Sequence, residues 1–308
     1  MIEGLLYGIL SGLILMGIGI ITSAAAKRKL SMVLIQGIGA LLLICLFPMI
    51  PGNGMVLSGE NAVTINLLML LAGVGNFVTF LLIQQAMKTG HNGIIWSLAN
   101  SALIFPFLVG ILFFHVPPEV PRFAGAALIV GGIVLAGAAQ KTDPEKRKTK
   151  GDRTWFLWAL ASLFSAGITQ TAANIPSYLS GIERFSNLQK GLVMQIGIAV
   201  VAGLYLLCIR GRFSAPGAKM EKWTWCRQIL LLAVALAAVN GLTLCVFMYR
   251  SFDLLAKAGI GSIAYPVVLG TCIAGFFLYS LVVLKEKASI PAVVSFLLMV
   301  AGIAVIAL

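Results

Sequence analysis

The chain has 308 residues, 60% of them hydrophobic and only 10% charged, where a soluble domain carries roughly 25% charged residues. So much apolar surface does not fit inside one water-soluble core, and a soluble globular protein is excluded. The net charge of +12 does not point to nucleic acid, because the Lys and Arg fall in short stretches between apolar runs, where they orient a membrane chain.

Ten apolar runs approach the ~20 residues that span a bilayer as a helix. In chain order they cover about 3–23, 32–50, 64–86, 93–115, 120–140, 154–176, 189–209, 226–249, 259–283 and 288–308. They are long and uncharged rather than alternating, so they read as helices and not barrel strands. The first begins at Gly4 without a basic stretch before it, and is read as a helix rather than a cleaved signal. Three connections are longer: 51–63, rich in Gly and Pro, the charged linker 141–153, and the basic stretch 210–225. The five cysteines (Cys45, Cys208, Cys226, Cys245 and Cys272) have no Cys-x-x-Cys spacing. They read as small buried hydrophobes, and no metal or other cofactor is expected.

With the N-terminus outside, the inward connections carry 17 of the 22 Lys and Arg. Only Arg122, Arg184, Lys190, Arg250 and Lys257 are left on the outer side. Positive charge collects on the cytoplasmic side, so both termini are expected outside and the 141–153 linker inside. The expected localisation is the inner (cytoplasmic) membrane, multi-pass.

The chain also repeats itself. At an offset of 170 positions Pro121 meets Pro291, Gly132 meets Gly302 and Ala86 meets Ala256. With one residue of slippage KTGHNGIIW aligns with KAGIGSIAY, which sets Trp96 over Tyr265. The expected fold is all-α, ten transmembrane helices as two five-helix repeats, residues 1–140 and 154–308, joined by the linker 141–153. Five is odd, so the second repeat is inverted, a construction that places a transporter's site at the repeat interface near the midplane.

The two half-ends, FFHVPPEVPRFAGAALIVGGIVLAGA and VVLKEKASIPAVVSFLLMVAGIAVIAL, resemble the drug/metabolite transporter superfamily in its ten-helix form with two EamA-like halves. The FFH turn at 113–115, the charged linker and LFSAGITQTAAN at 163–174 resemble its bacterial sugar-uptake branch, the glucose/ribose and rhamnose carriers. The resemblance implies a central cavity lined by the first, third, fourth, sixth, eighth and ninth helices, with the fifth and tenth as scaffold. It also sets a contrast: the small multidrug relatives carry a Glu in the first helix, where this chain reads LSGLILMG.

All ten acidic residues fall in connections or at helix ends. A cation exporter needs an acid inside the membrane to bind cation and proton in turn, so cationic drugs are not the expected cargo. The spans carry neutral hydrogen-bonding groups instead. Asn92, Trp96 and Asn100 recur at i, i+4 and i+8, one face of a helix, with Ser97 and Ser101 beside them. Ser165 and Thr169 in the sixth run, Asn76 in the third and Asn240 in the eighth add further groups, and Tyr265 faces Trp96 through the repeat. Such residues also cement helix pairs, at about 0.6 kcal/mol each. Two amides beside an indole form an uncommon stripe for packing alone, since an unpaired amide in lipid costs several kcal/mol. The expected substrate-binding set is Trp96, Asn100, Tyr265, Ser97, Asn92, Ser165, Thr169, Asn76 and Asn240. His91 and His115 read as solvated residues at helix ends, and Pro106 and Pro266 as kinks.

The expected function is secondary active transport of a small, largely uncharged, sugar-like solute by alternating access. Export of amino acids or related metabolites is the alternative. A membrane-embedded enzyme is the remote one, because no paired carboxylates, metal cluster or phosphate-binding loop is visible. The expected partners are the solute, the lipid bilayer and, where transport is ion-driven, a coupling ion.

Overall fold

The structure is a computed structural model that describes residues 2–49, 55–115, 120–139, 154–181, 185–208, 222–248, 250–251, 254–255, 258 and 264–306. The 141–153 linker and residues 51–54 of the Gly/Pro-rich connection lie outside the described residues. Eleven α-helices are described: α1 (Ile2–Lys27), α2 (Met32–Leu46), α3 (Ala62–Met87), α4 (Asn92–Asn100), α5 (Ile104–Phe114), α6 (Val120–Ala139), α7 (Thr154–Asn174), α8 (Asn187–Cys208), α9 (Lys222–Leu242), α10 (Ala264–Val282) and α11 (Ile290–Ile306). No strand occurs among the described residues. Six helical stretches are long and apolar enough to cross a membrane, and four further apolar helices are shorter. Large apolar side chains such as Leu6, Leu67, Leu112 and Leu231 point outward, as a multi-pass helical membrane protein requires.

The fourth apolar run is not one helix. A 3-10 turn over Ser101–Leu103 separates α4 from α5. Pro106 has no N–H to give the Ala102 carbonyl, so the α-helical ladder fails there. Just upstream, Ser97 donates to the Gly93 carbonyl and Ser101 to the Ser97 carbonyl, each at 2.8 Å, a back-bonding pattern that bends helices. Pro266 stands near the start of the described part of α10, and residues 259–263 before it lie outside the described residues. The eighth run ends in a π-helical turn, Thr243–Met248.

Helix ends use left-handed residues. Lys29 (φ 54°), Asn61 (φ 55°), His115 (φ 51°) and Lys285 (φ 55°) all lie at such boundaries. His115 closes α5, and Lys285 follows α10 at the position 170 residues later.

The helices pack through small residues. α6 lies along α11, α3 along α7 and α8, α1 along α10, and α2 along α8 and α9. A Cβ on Gly12 of α1 would stand 2.7 Å from Thr271 Cβ of α10. Gly73 of α3 and Gly197 of α8 bring two backbones together, and a Cβ on either would strike the other helix's main chain, at the Met194 or Leu70 carbonyl. Gly4, Gly8 and Gly12 recur every four residues along α1 and form such a packing seam. Buried amides staple the bundle: Gln84 Nε2 donates to the Leu30 carbonyl at 2.7 Å, and Gln36 Nε2 to the Phe77 carbonyl at 3.2 Å.

Candidate functional site

α3, α4 and α7 line a half-open cavity of about 90 Å³, room for several waters. Asn76, Thr79, Phe80 and Ile83 line it from α3, Trp96, Ala99 and Asn100 from α4, and Ala166, Thr169 and Gln170 from α7. None of these ten residues is charged, and six of them carry an amide, a hydroxyl or an indole.

Part of this polarity is already spent on the helices. Thr169 Oγ1 donates to the Ser165 carbonyl at 2.9 Å, and Asn100 Nδ2 to the Trp96 carbonyl at 2.8 Å. The Thr79 and Ser165 hydroxyls stand 2.9 Å apart, and both reach the Gly75 carbonyl, at 2.8 and 3.2 Å. Gly75 also leaves the room that Thr169 Oγ1 occupies. Gln170 Oε1 is buried without a hydrogen-bond partner among the described residues, while the Trp96 indole N–H is turned to the Cys272 thiol. An atom such as Gln170 Oε1 carries a desolvation cost of about 1–3 kcal/mol unless something binds it.

Of the residues expected from sequence, Asn76, Trp96, Asn100 and Thr169 line this cavity, and Ser165 supports it from behind through Thr79. Trp96 is 3% exposed and stands against Phe80 (centroids 6.3 Å apart) and Phe276 (5.3 Å), so it forms a wall rather than an open plate. Ser97 is fully buried and turned back on its own helix. Asn240 is half-buried on α9, away from the lining residues. The Tyr265 side chain lies outside the described residues. Thr79, Phe80 and Gln170 were missing from the expected set. Asn76, Thr79, Phe80 and Ile83 follow the i, i+3, i+4, i+7 spacing of one helix face, a signal legible in the sequence.

Asn92 is the clear departure. Its side chain does not continue the Trp96–Asn100 stripe into the cavity. Instead its amide Nδ2 donates to Glu286 Oε1, and its backbone N–H donates to Glu286 Oε2 at 2.9 Å. Asn92 opens α4, and the free amides of a helix's first turn attract a carboxylate. The loop after α10 carries Glu286 into that place, with His91 Nδ1 at 3.2 Å from Oε2. The side chains of His91 and Glu286 are 9% and 17% exposed, and the imidazole stacks on Phe277 of α10 at 5.8 Å. His91 is therefore not a solvated interfacial residue, and Glu286, although in a connection, is folded into the bundle. Burial pushes its carboxyl above the ordinary value, while the bonds from Asn92 and the charge of Lys27 pull it down.

No family model and no curated protein matches the chain. Among solved structures, one described only as a crystal structure of a protein is similar to it with a TM-score of 0.56 at 15% identity, covering 98% of this chain and 95% of that chain. At that identity the likeness shows a shared helical fold over the full length and nothing of function.

Proposed function

We propose that the chain is a secondary carrier with ten membrane crossings in two inverted five-helix halves, similar to the drug/metabolite transporters. It moves a small, largely uncharged polar solute across the cytoplasmic membrane by alternating access. The observation that carries this reading is the cavity between α3, α4 and α7: a neutral, hydrogen-bonding chamber inside apolar helices, with the Gln170 carbonyl left unsatisfied. A solute hydroxyl or amide N–H is the complementary group. The lining offers no charge to hold an ammonium or carboxylate, which favours a sugar-like solute over an amino acid.

Helix pairing supports the inverted repeat. If the second half mirrors the first, each packed pair has an image. The α3–α8 pair has its image in α2–α9, the α1–α10 pair in α4–α7, and α6–α11 is its own image. All of these pairs are packed.

The test is a thermal-shift screen of the purified protein against sugars, polyols, amino acids, nucleosides and organic cations. A solute that binds the native state raises its melting temperature, by about 2.7 kcal/mol of stability at a hundredfold excess over Kd. Stabilisation by neutral polyhydroxyl compounds alone supports the reading, and stabilisation by organic cations alone defeats it.

A further inference from the structure

We propose that His91 and Glu286 form a proton-binding site that latches the two halves of the chain together at the Lys27 end of the bundle, and that uptake of a proton closes the latch. As a gate of a transport path this rests on the carrier reading; as a proton site it does not.

The latch joins α4, which carries Trp96 and Asn100 of the cavity, to the loop between α10 and α11. Glu286 accepts from the Asn92 backbone and side chain, and His91 lies across it with its ring on Phe277. Below it the two helices are in close contact: a Cβ on Gly93 would meet Phe277 at 2.8 Å. Nδ1 caps α4 by accepting from the Ile94 N–H at 3.4 Å, so in that tautomer its lone pair meets Oε2, 3.2 Å away, with no hydrogen between them. Proton uptake supplies it, either as imidazolium facing carboxylate or as carboxylic acid facing imidazole.

The surroundings give the sign. The charged groups that face Glu286 are His91 and, from the end of α1, Lys27. Lys285 and Lys287 flank it in its own loop and are exposed. Burial outweighs these cations, so the docked carboxyl holds its proton more tightly than a released, solvated one. By linkage the docked state is favoured as pH falls, and loses that advantage as pH rises through the raised value.

The device is one-sided. At the offset of 170 Val116 takes the place of Glu286, and in the KTGHNGIIW–KAGIGSIAY alignment Ile260 and Gly261 take those of His91 and Asn92. The repeat thus supplies two comparable ends and puts the His–Asn–Glu set at only one of them, while His115 neighbours Val116 in sequence at the other.

Hydrogen–deuterium exchange of the full-length protein in nanodiscs, without solute, tests the site. The readout is protection of the amides in a peptide spanning 88–96, corrected for intrinsic exchange, at about pH 6 and about pH 8, either side of the usual imidazole range. In the unaltered protein protection should be higher at the lower pH, by up to about tenfold per pH unit within the window. Glu286→Gln keeps acceptors on the α4 amides but removes the carboxyl that pairs with His91, so protection should follow pH less steeply than in the unaltered protein. Glu286→Ala should lose protection at both values. A flat profile in the unaltered protein, a Glu286→Gln profile as steep as the unaltered one, or unchanged protection in Glu286→Ala overturns the proposal. Glu286→Gln preserves shape and keeps the test open should the alanine variant not fold. If the exchange profile behaves as stated while no solute is bound or moved, the carrier reading fails and the proton site stands.

Discussion

Gly132 of α6 and Gly302 of α11 occupy reciprocal places in one helix contact. A Cβ on Gly132 would meet Met299 Cγ at 2.7 Å and the Ser295 carbonyl at 2.9 Å; a Cβ on Gly302 would meet Ile129 Cγ1 at 2.7 Å and the Gly125 carbonyl at 2.6 Å. Every residue in the first set lies 170 positions from its counterpart in the second.

This contact should not tolerate bulk. Gly132→Val and Gly302→Val should each destabilise the protein by about 1–3 kcal/mol, the usual range for overpacking a tight site. Gly131→Ala is the control, since nothing lies within 4 Å of a Cβ there and alanine favours the helix. Melting curves in one detergent compare the three. Equal losses for Gly131→Ala and Gly132→Val would remove the close contact as the cause.

The distribution of 17 basic residues on one side and five on the other predicts that the C-terminus lies outside the cytoplasmic membrane and Lys148 inside. Paired reporter fusions, one active only in the cytoplasm and one only outside it, decide both points. A cytoplasmic C-terminus overturns the orientation. The structure offers a consistent grouping, because Lys27, Lys88, His91 and Glu286 gather at one end of the bundle while Glu60, Ser180 and Gln189 meet at the other, where Ser180 Oγ donates to Glu60 Oε1 at 2.6 Å.

The helices were legible because their signal is long and one-dimensional: an uncharged run of about 20 residues has few other fates. Four lining residues, Asn76, Trp96, Asn100 and Thr169, were legible for a similar reason, as polar groups standing out in apolar helices. What the periodic reading missed was geometry that depends on neighbours. Asn92 lies on the same helical stripe as Trp96 and Asn100, yet the loop after α10 claims it. Glu286 reads as a surface residue from its place in a connection, and only the fold of that loop onto α4 buries it. Ser97 looks like a free hydroxyl in sequence, but the nearest acceptor is the carbonyl one turn back. The break at Ser101–Leu103 was foreshadowed by Pro106, although the irregular turn lies a few residues upstream of it.

Substitutions in the cavity should separate binding from folding. Asn100→Ala removes a lining amide whose one side-chain bond among the described residues is to the Trp96 carbonyl, and the fold does not depend on that bond because the helix ladder remains. It should weaken solute affinity by about 1–3 kcal/mol, the cost of leaving a partner unsatisfied, with the melting temperature nearly unchanged. Gln170→Leu keeps the volume and removes the one buried, unpartnered carboxamide oxygen of the lining. It should lower affinity while leaving stability the same or slightly higher, because an unsatisfied acceptor is replaced by an apolar group. Trp96→Ala should act on both, since the indole supports Phe80 and Phe276 as well as the cavity wall, and loss of a buried Trp costs about 3–5 kcal/mol. Leu297→Ala on the outer face of α11, where the side chain is 55% exposed, is the control and should leave affinity as it was. Isothermal titration with a solute identified in the thermal screen reads affinity, and melting curves read stability. Normal affinity in both Asn100→Ala and Gln170→Leu would mean that the chamber between α3, α4 and α7 is a packing defect, and that the solute binds elsewhere in the bundle.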